Sequence, residues 1–279
     1  MIKNFIIHLF CFCFFLSESS IQADQVESRK AHHKEDPKLL VLIIASDNHP
    51  AYLELQEIWR SYMHHDPQHV EVYFMKGDPN QDVDAEIIGD TIYTKVMDCY
   101  KPGITEKTLA SMEHFIPRLH EFDYVLRTNL SSFYHFPRLL KYMQKLPSTK
   151  CYAGWKLIPA RDDVTQEYYG IPFGCGAGFI LSPDLVEQLV EGKEEVLKDS
   201  VGIPDDVVIG AFYHRRNIQL IPTKIAVFTS YSDWKRKEPS LSTKHFHFRA
   251  KRAAGKREDD DDFEDEIKIL KELLIKFYP

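Results

Sequence analysis

The chain lacks the short motifs that settle an enzyme's chemistry at sight. No Gly-x-Ser-x-Gly elbow, P-loop or Gly-x-Gly-x-x-Gly dinucleotide fingerprint occurs in it, which leaves triad hydrolases, P-loop NTPases and Rossmann dehydrogenases without support. Cysteine is scarce: of five, Cys11 and Cys13 lie in an N-terminal apolar run, leaving Cys99, Cys151 and Cys175. Their spacing fits no zinc or redox motif, and nothing nearby in sequence lowers a thiol pKa. There is no basic excess either. Lys and Arg number 35 against 42 Asp and Glu, for a net charge of -7. The run Glu258–Glu266 holds eight of the acids; without it the net charge is about +1, and no face for nucleic acid is implied. No internal repeat is found, and no apolar run reaches the roughly 20 residues that a bilayer core requires.

What is present begins with compartment. Lys3 precedes an apolar stretch from Phe5 to Leu16, interrupted by His8, and small or polar residues follow to Ala23. This reads as a secretory signal peptide over 1-23, cleaved near Ala23 or else retained as a short signal anchor. Either form delivers the rest to the lumen of the secretory pathway (endoplasmic reticulum or Golgi) or to the exterior. An oxidising compartment predicts one disulfide and one free thiol among Cys99, Cys151 and Cys175, with the pairing open. Residues 24-37 are polar and charged, as in a flexible lead-in. The remainder, 44% hydrophobic across the whole chain, suffices for one large domain or two small ones.

Strand and helix patterns alternate from Lys38 onward. Leu39–Ala45 is a continuous apolar run closed by Ser46-Asp47-Asn48-His49-Pro50, the pattern of a buried parallel strand and its exit loop. Leu55, Ile58, Trp59 and Tyr62 then recur at helical spacing, and Val70–Met75 alternates as a strand. A second unit has a weak strand at Asp90–Tyr93, a helix from about Thr105 to Leu119, and a strand at Asp123–Thr128. Further strands are predicted at Tyr152–Leu157, Ala177–Leu181 and Ile218–Val227, with a helix from Pro183 capped by Ser182. The expected class is α/β, with a mostly parallel central sheet covered by helices over 38-250. Ligands of such sheets bind beyond the carboxyl ends of the strands, here Asp47–Pro50 and Thr128–Ser132. Residues 251-279 read as a charged linker and an amphipathic helix. Its stripe of Phe263, Ile267, Leu270, Leu274 and Phe277 suits a partner helix, a membrane surface, or the chain's own domain.

Three segments carry chemistry. Asp98-Cys99-Tyr100 is followed by Thr105-Glu106-Lys107-Thr108; Gly174-Cys175-Gly176-Ala177-Gly178-Phe179-Ile180-Leu181-Ser182 is glycine-rich; and Pro204-Asp205-Asp206-Val207-Val208-Ile209-Gly210 sets two carboxylates in an apolar frame. Together, and in this order, they resemble the inverting β-1,3-glycosyltransferases of glycosyltransferase family 31, including its fringe-like branch, from about Leu40 to Phe248. The resemblance implies a GT-A type nucleotide-sugar-binding fold. It also implies transfer of a hexose from a nucleotide-sugar donor, UDP-linked, to a hydroxyl of a glycan or glycoprotein acceptor. Inverting transfer is one displacement at the anomeric carbon, so a base must deprotonate the acceptor opposite the leaving diphosphate. By resemblance that base is Asp206, with Asp205 beside it; without the family, Pro-Asp-Asp is simply a good helix start. Asp98 and Lys107 would line the donor pocket. Gly176, Ala177 and Gly178 would leave room for a sugar, or serve close packing beside a strand.

One departure from the family stands out. Its Asp-x-Asp triplet, which holds a divalent metal on the diphosphate, is replaced by Asn129-Leu130-Ser131. That segment offers no carboxylate to a hard cation such as Mn, so no metal ligand is assigned and no cofactor is required, unless activity has been lost and the fold serves as a lumenal carbohydrate-binding or scaffold protein. Arg127, Thr128, Asn129 and Ser131 are assigned to the donor side, with His247 and Arg249 from the late basic segment and Asp47 from the first exit loop. Asn129-Leu130-Ser131 is also an N-glycosylation sequon. His245, His247 and Arg249 would share one face of a strand. Trp155, Tyr168, Tyr169 and Trp234 are either sugar platforms or core, and Trp155 is assigned to the acceptor pocket.

Overall fold

The first strand, β1 (Leu39–Ile44), is apolar at every position because both of its faces are covered. Leu39, Val41 and Ile43 enter one hydrophobic cluster, while Leu40 and Leu42 enter the other on the opposite side of the sheet. The computed structural model describes residues 36–159, 166–251 and 260–279, with side chains of the last segment from Phe263 onward. The signal segment, the lead-in through Glu35, and Glu258 and Asp259 of the acidic run lie outside the described residues.

In chain order, α1 (Pro50–Arg60) is followed by β2 (Val70–Gly77), β3 (Ala85–Ile88) and β4 (Thr91–Thr94). Next come α2 (Gly103–Phe115), β5 (Tyr124–Asn129), β6 (Ser132–Tyr134) and α3 (Phe136–Met143). The later half has β7 (Tyr152–Leu157), β8 (Phe173–Leu181), α4 (Pro183–Glu191), α5 (Lys193–Asp199) and α6 (Asp205–Arg215). The chain closes with β9 (Leu220–Pro222), β10 (Ala226–Phe228), α7 (Tyr231–Lys237), β11 (His247–Ala250) and α8 (Asp260–Phe277). The large sheet runs β3-β4-β2-β1-β5-β8-β7-β9, and a smaller one runs β10-β11-β6. Strands β4, β2, β1 and β5 are parallel. Strand β8 lies antiparallel between β5 and β7. The protein is thus a mixed α/β fold with a large, mostly parallel central sheet flanked by helices. One cluster joins the sheet to α1, α3 and α8, and the other joins it to α2, α4 and α6.

Several boundaries differ from the sequence reading, each for a local reason. The helix expected over Thr105–Leu119 ends at Phe115 and continues as a 3₁₀ turn over Ile116–Glu121, because Pro117 cannot extend the hydrogen-bond ladder. The single strand expected over Ile218–Val227 is two short strands in different sheets: β9 ends at Pro222, and the amide of Thr223 bonds back to the carbonyl of Gly154. Ser182 precedes α4 as expected, but its hydroxyl accepts from the amide of Cys151 at 2.9 Å instead of capping the helix. His245 precedes β11, so only His247 and Arg249 share its face. Among the described residues no disulfide forms: Cys99, Cys151 and Cys175 are all free, the last two buried in separate strands or strand entries.

The C-terminal helix folds back on its own domain. Phe263, Ile269, Leu270 and Leu273 are buried, and Ile267, Leu274 and Phe277 pack partly against the same cluster. Lys271 pairs with Glu54 of α1 at 2.5 Å, and Lys276 with Glu238 at 2.6 Å. The apolar stripe is therefore occupied by α1 and the small sheet. Among the described residues, no helix is long and apolar enough to cross a membrane.

Candidate active site

The peptide of Gly176, in the middle of β8, is the joint of the site. Its amide donates to Asp206 Oδ2 at 2.7 Å, and its carbonyl accepts from Arg127 Nη1 and Asn129 Nδ2, each at 2.8 Å. Antiparallel pairing of β5 with β8 sets Arg127 opposite Phe179 and Thr128 opposite Gly178, which brings the end of β5 alongside the glycine run. A Cβ on Gly176 would sit 3.1 Å from both Arg127 Nη1 and Asp206 Oδ2, tighter than ordinary packing, so a larger residue there would push on both side chains. A Cβ on Gly178 would run into the hydroxyl of Tyr134. The three glycine-run residues assigned to an acceptor pocket thus meet protein groups first: Ala177 is buried, and its carbonyl accepts from Thr128 Oγ1 and Ser132 Oγ, each at 2.7 Å.

Asp205 and Asp206 open α6, with Pro204 as N-cap in the extended region. Both the helix-start and the site readings of Pro204-Asp205-Asp206 therefore hold, and the positive end of the helix favours both carboxylates. The two carboxylates have different surroundings. Asp205 is buried and forms an ion pair with Arg127, itself 1% exposed. Asp206 is half-buried, and its Oδ1 accepts from the amide of Val207 at 3.0 Å. Burial, and then the charge of Asp205, push the Asp206 carboxyl up to about 6, against the opposing pull of Arg127 and of the Gly176 and Val207 amides. Tyr100, 64% exposed, flanks the pair; burial of its hydroxyl end, and then the charges of Asp206 and Asp205, raise its phenol. Lys101 Nζ reaches the carbonyl of Gly202 at 2.8 Å, tying the loop before α2 to the turn before α6.

The other donor-side assignments fall into separate groups. Lys107 is buried, donates to Asp98 Oδ1 at 2.6 Å and to the carbonyl of Ala45 at 2.8 Å, and burial lowers its pKa. Asp47, exposed at the end of β1, receives Lys76 Nζ at 2.6 and 2.9 Å and Gln56 Nε2 at 3.0 Å. Asn129 Oδ1 accepts from Ser131 Oγ at 2.9 Å. With its amide nitrogen already on Gly176, Asn129 is engaged at both ends in a strand terminus, a poor setting for an N-linked glycan. His247 is buried and stacked on Tyr134, with ring centroids 4.3 Å apart, and lies 3.4 Å from Ser132 Oγ. Burial, assisted by Arg249, lowers its pKa to about 3, so the ring is neutral at ordinary pH and carries no charge for a diphosphate. Arg249 Nη1 lies 3.2 Å from the thiol of Cys175, while its Nε is buried with no partner among the described residues. Trp155 is half-buried at an irregularity between β7 and β8, outside the Gly176 hydrogen-bond network.

No protein-family model and no curated protein matches this chain. Among the described residues, no three His, Cys, Asp or Glu side chains gather to hold a metal. At Gly176, Asn129 and Ser131 bond to each other, Asp205 to Arg127, and Asp206 to two amides. These residues do not fit a hard divalent cation, which needs several unengaged oxygen ligands.

Sequence reasoning passed over Lys76, Gln56, Tyr134 and Tyr152, and reached Ser132 only as the end of the expected Thr128–Ser132 ligand loop. Tyr152 donates no charge but accepts the Gly174 amide on its hydroxyl at 2.7 Å. Lys76 was open to detection, since it ends the alternation Val72, Phe74, Lys76 on a buried strand face.

Proposed function

We propose that this chain is an inverting glycosyltransferase of GT-A type. It moves a sugar from a nucleotide-sugar donor, UDP-linked, to a hydroxyl of a glycan or glycoprotein in the lumen of the secretory pathway. The reading rests on the resemblance of three ordered segments to the β-1,3-glycosyltransferases. The observation that carries it is Asp206: a half-buried carboxylate held by the Gly176 and Val207 amides, with its pKa raised to about 6. A base near the operating pH can take a proton in the transition state and still be unprotonated beforehand. In the proposed step, the acceptor oxygen forms a bond to the anomeric carbon as the bond from that carbon to the diphosphate breaks. The acceptor proton passes to Asp206, and the nucleoside diphosphate leaves with the electron pair. Asp47, Asp98, Asn129 and the end of β1 lie along the carboxyl edge of the parallel strands, where a nucleotide would dock.

Purified protein incubated with a panel of nucleotide sugars and acceptors in chelator should turn over, and Asp206→Asn should not. Equal turnover by the variant would remove Asp206 from the role. Loss of activity in chelator with recovery on adding manganese would overturn metal independence. One observation favours a second reading, a lumenal glycan-binding protein without transfer activity: Arg127 and Lys107, two cations assigned to the donor, are consumed by internal partners. Stabilisation by free glycans and not by UDP or a UDP-sugar in a thermal shift would select it.

A further inference from the structure

We infer that Arg127 is a positioning residue: it neutralises Asp205 and clamps Gly176, so that of two adjacent carboxylates only Asp206 is left without an ion-pair partner. The inference rests on the proposed role of Asp206 for its functional meaning, while the division between the two aspartates rests on geometry alone. Two bonds of the Arg127 guanidinium define it, one to Asp205 Oδ2 and one to the Gly176 carbonyl at 2.8 Å. The same Gly176 peptide donates its amide to Asp206 Oδ2 at 2.7 Å. One planar fork therefore holds the first carboxylate directly and the second through a peptide plane.

Asn129 Nδ2 makes a second bond to the Gly176 carbonyl at 2.8 Å, which resists rotation of that plane. The Arg127 guanidinium carbon also lies 5.4 Å from the centre of the Phe179 ring, while its Nε is buried with no hydrogen-bond partner among the described residues. A bidentate fork does what a lysine could not, because an ammonium is a point charge without a fixed pair of donor directions. This accounts for the burial of Arg127 at 1% exposure beside a carboxylate that is itself 7% exposed. An arginine meant for a diphosphate would need an open face.

The groups facing Asp206 are Asp205 on its own helix, Arg127 from β5, Tyr152 from β7, Cys175 from β8 and Tyr100 from the loop before α2. Asp205 raises the Asp206 pKa and Arg127 lowers it, so the ion pair partly cancels its own effect on its neighbour.

The test is a ¹³C-carboxylate NMR titration of Asp206 without substrate, in the wild type, Arg127→Gln, Arg127→Lys and the double variant Arg127→Gln/Asp205→Asn. Arg127→Gln should shift the Asp206 titration upward by about one pH unit, since an opposite charge is lost. Arg127→Lys should shift it less, and the double variant should return it toward wild type. If Arg127→Gln does not fold, Arg127→Lys and the double variant, whose buried charges are retained or jointly removed, carry the comparison. Identical Asp206 titrations in all folded variants would overturn the inference. In an active enzyme, the acid limb of kcat/KM should move with the NMR titration. A shift in titration from a protein with no transfer activity would uphold the positioning and sink the transferase reading.

Discussion

In the parallel half of the large sheet, β4-β2-β1-β5, strand interiors are mainly apolar and polar partners meet at the carboxyl ends: Lys76, near the end of β2, with Asp47, and Lys107 with Asp98. Where β5 meets antiparallel β8, the polar groups lie within the sheet itself. Arg127 stands in the middle of β5, and its partner Asp205 opens a helix 78 positions later. The two buried cations also differ in their partners' access to water. The Lys107 and Arg127 side chains are each 2% exposed, but the Asp98 side chain is 24% exposed against 7% for Asp205. A pair whose anion is shared with solvent should tolerate change better than one enclosed between strand and helix. That contrast places the rigid part of the candidate site at Gly176 and its adaptable part along β1.

The contrast can be broken most sharply at the unpaired carboxylate. Asp206→Asn should lower turnover about 100- to 10,000-fold, the range for loss of a general base, in a steady-state assay on whichever donor is active. Next in size is the comparison of cations. Arg127→Ala should cost about 3 to 5 kcal/mol in urea unfolding, because it strands a buried anion. Lys107→Ala should cost less, since Asp98 can turn to water. Equal losses would show that the two halves hold their charges alike.

Two pH experiments sharpen the comparison further. The Asp206 carboxyl is raised from 3.8 to about 6, so between those values the native state holds a proton that the unfolded chain has released. Its contribution therefore destabilises the fold as pH rises through that window, with the full penalty above about 6. Asp206→Asn should then be more stable than wild type at pH 7.5, by about 1 to 3 kcal/mol, with the gain fading toward pH 4. His247 works in the opposite sense. Its pKa falls from 6.5 to about 3, so its neutral form supports the fold fully above 6.5 and that support is lost as pH falls toward 3. His247→Phe should remove this dependence, a difference in slope worth about 2 kcal/mol at pH 5, read from denaturant midpoints across pH.

Legibility in the sequence followed local periodicity. Strands β1, β2, β5 and β7 and the helix after Pro183 were all open to reading, since each buries a face whose period is written in consecutive residues. Helix α3 was missed although Pro137 stands near its start, and β6 and β3 are too short to carry a period. The stripe on α8 was visible, but not what covers it. The three cysteines were expected to include a disulfide, and the fold keeps them apart: Cys151 enters β7, Cys175 lies within β8, and Cys99 is on an exposed loop.

By itself, the sequence determined that α/β elements alternate, that Pro204-Asp205-Asp206 opens a helix, and that glycines crowd one strand. Only the tertiary structure decided that the two aspartates have different partners. Their distinction depends on Arg127, which reaches them through the register of β5 against β8, and on Gly176, whose amide faces one carboxylate while its carbonyl faces the arginine. Element identity is set by nearest neighbours along the chain, so it survives in a local pattern. Which carboxylate meets an arginine and which meets backbone amides is set by residues dozens of positions apart, and it exists only once the sheet has closed.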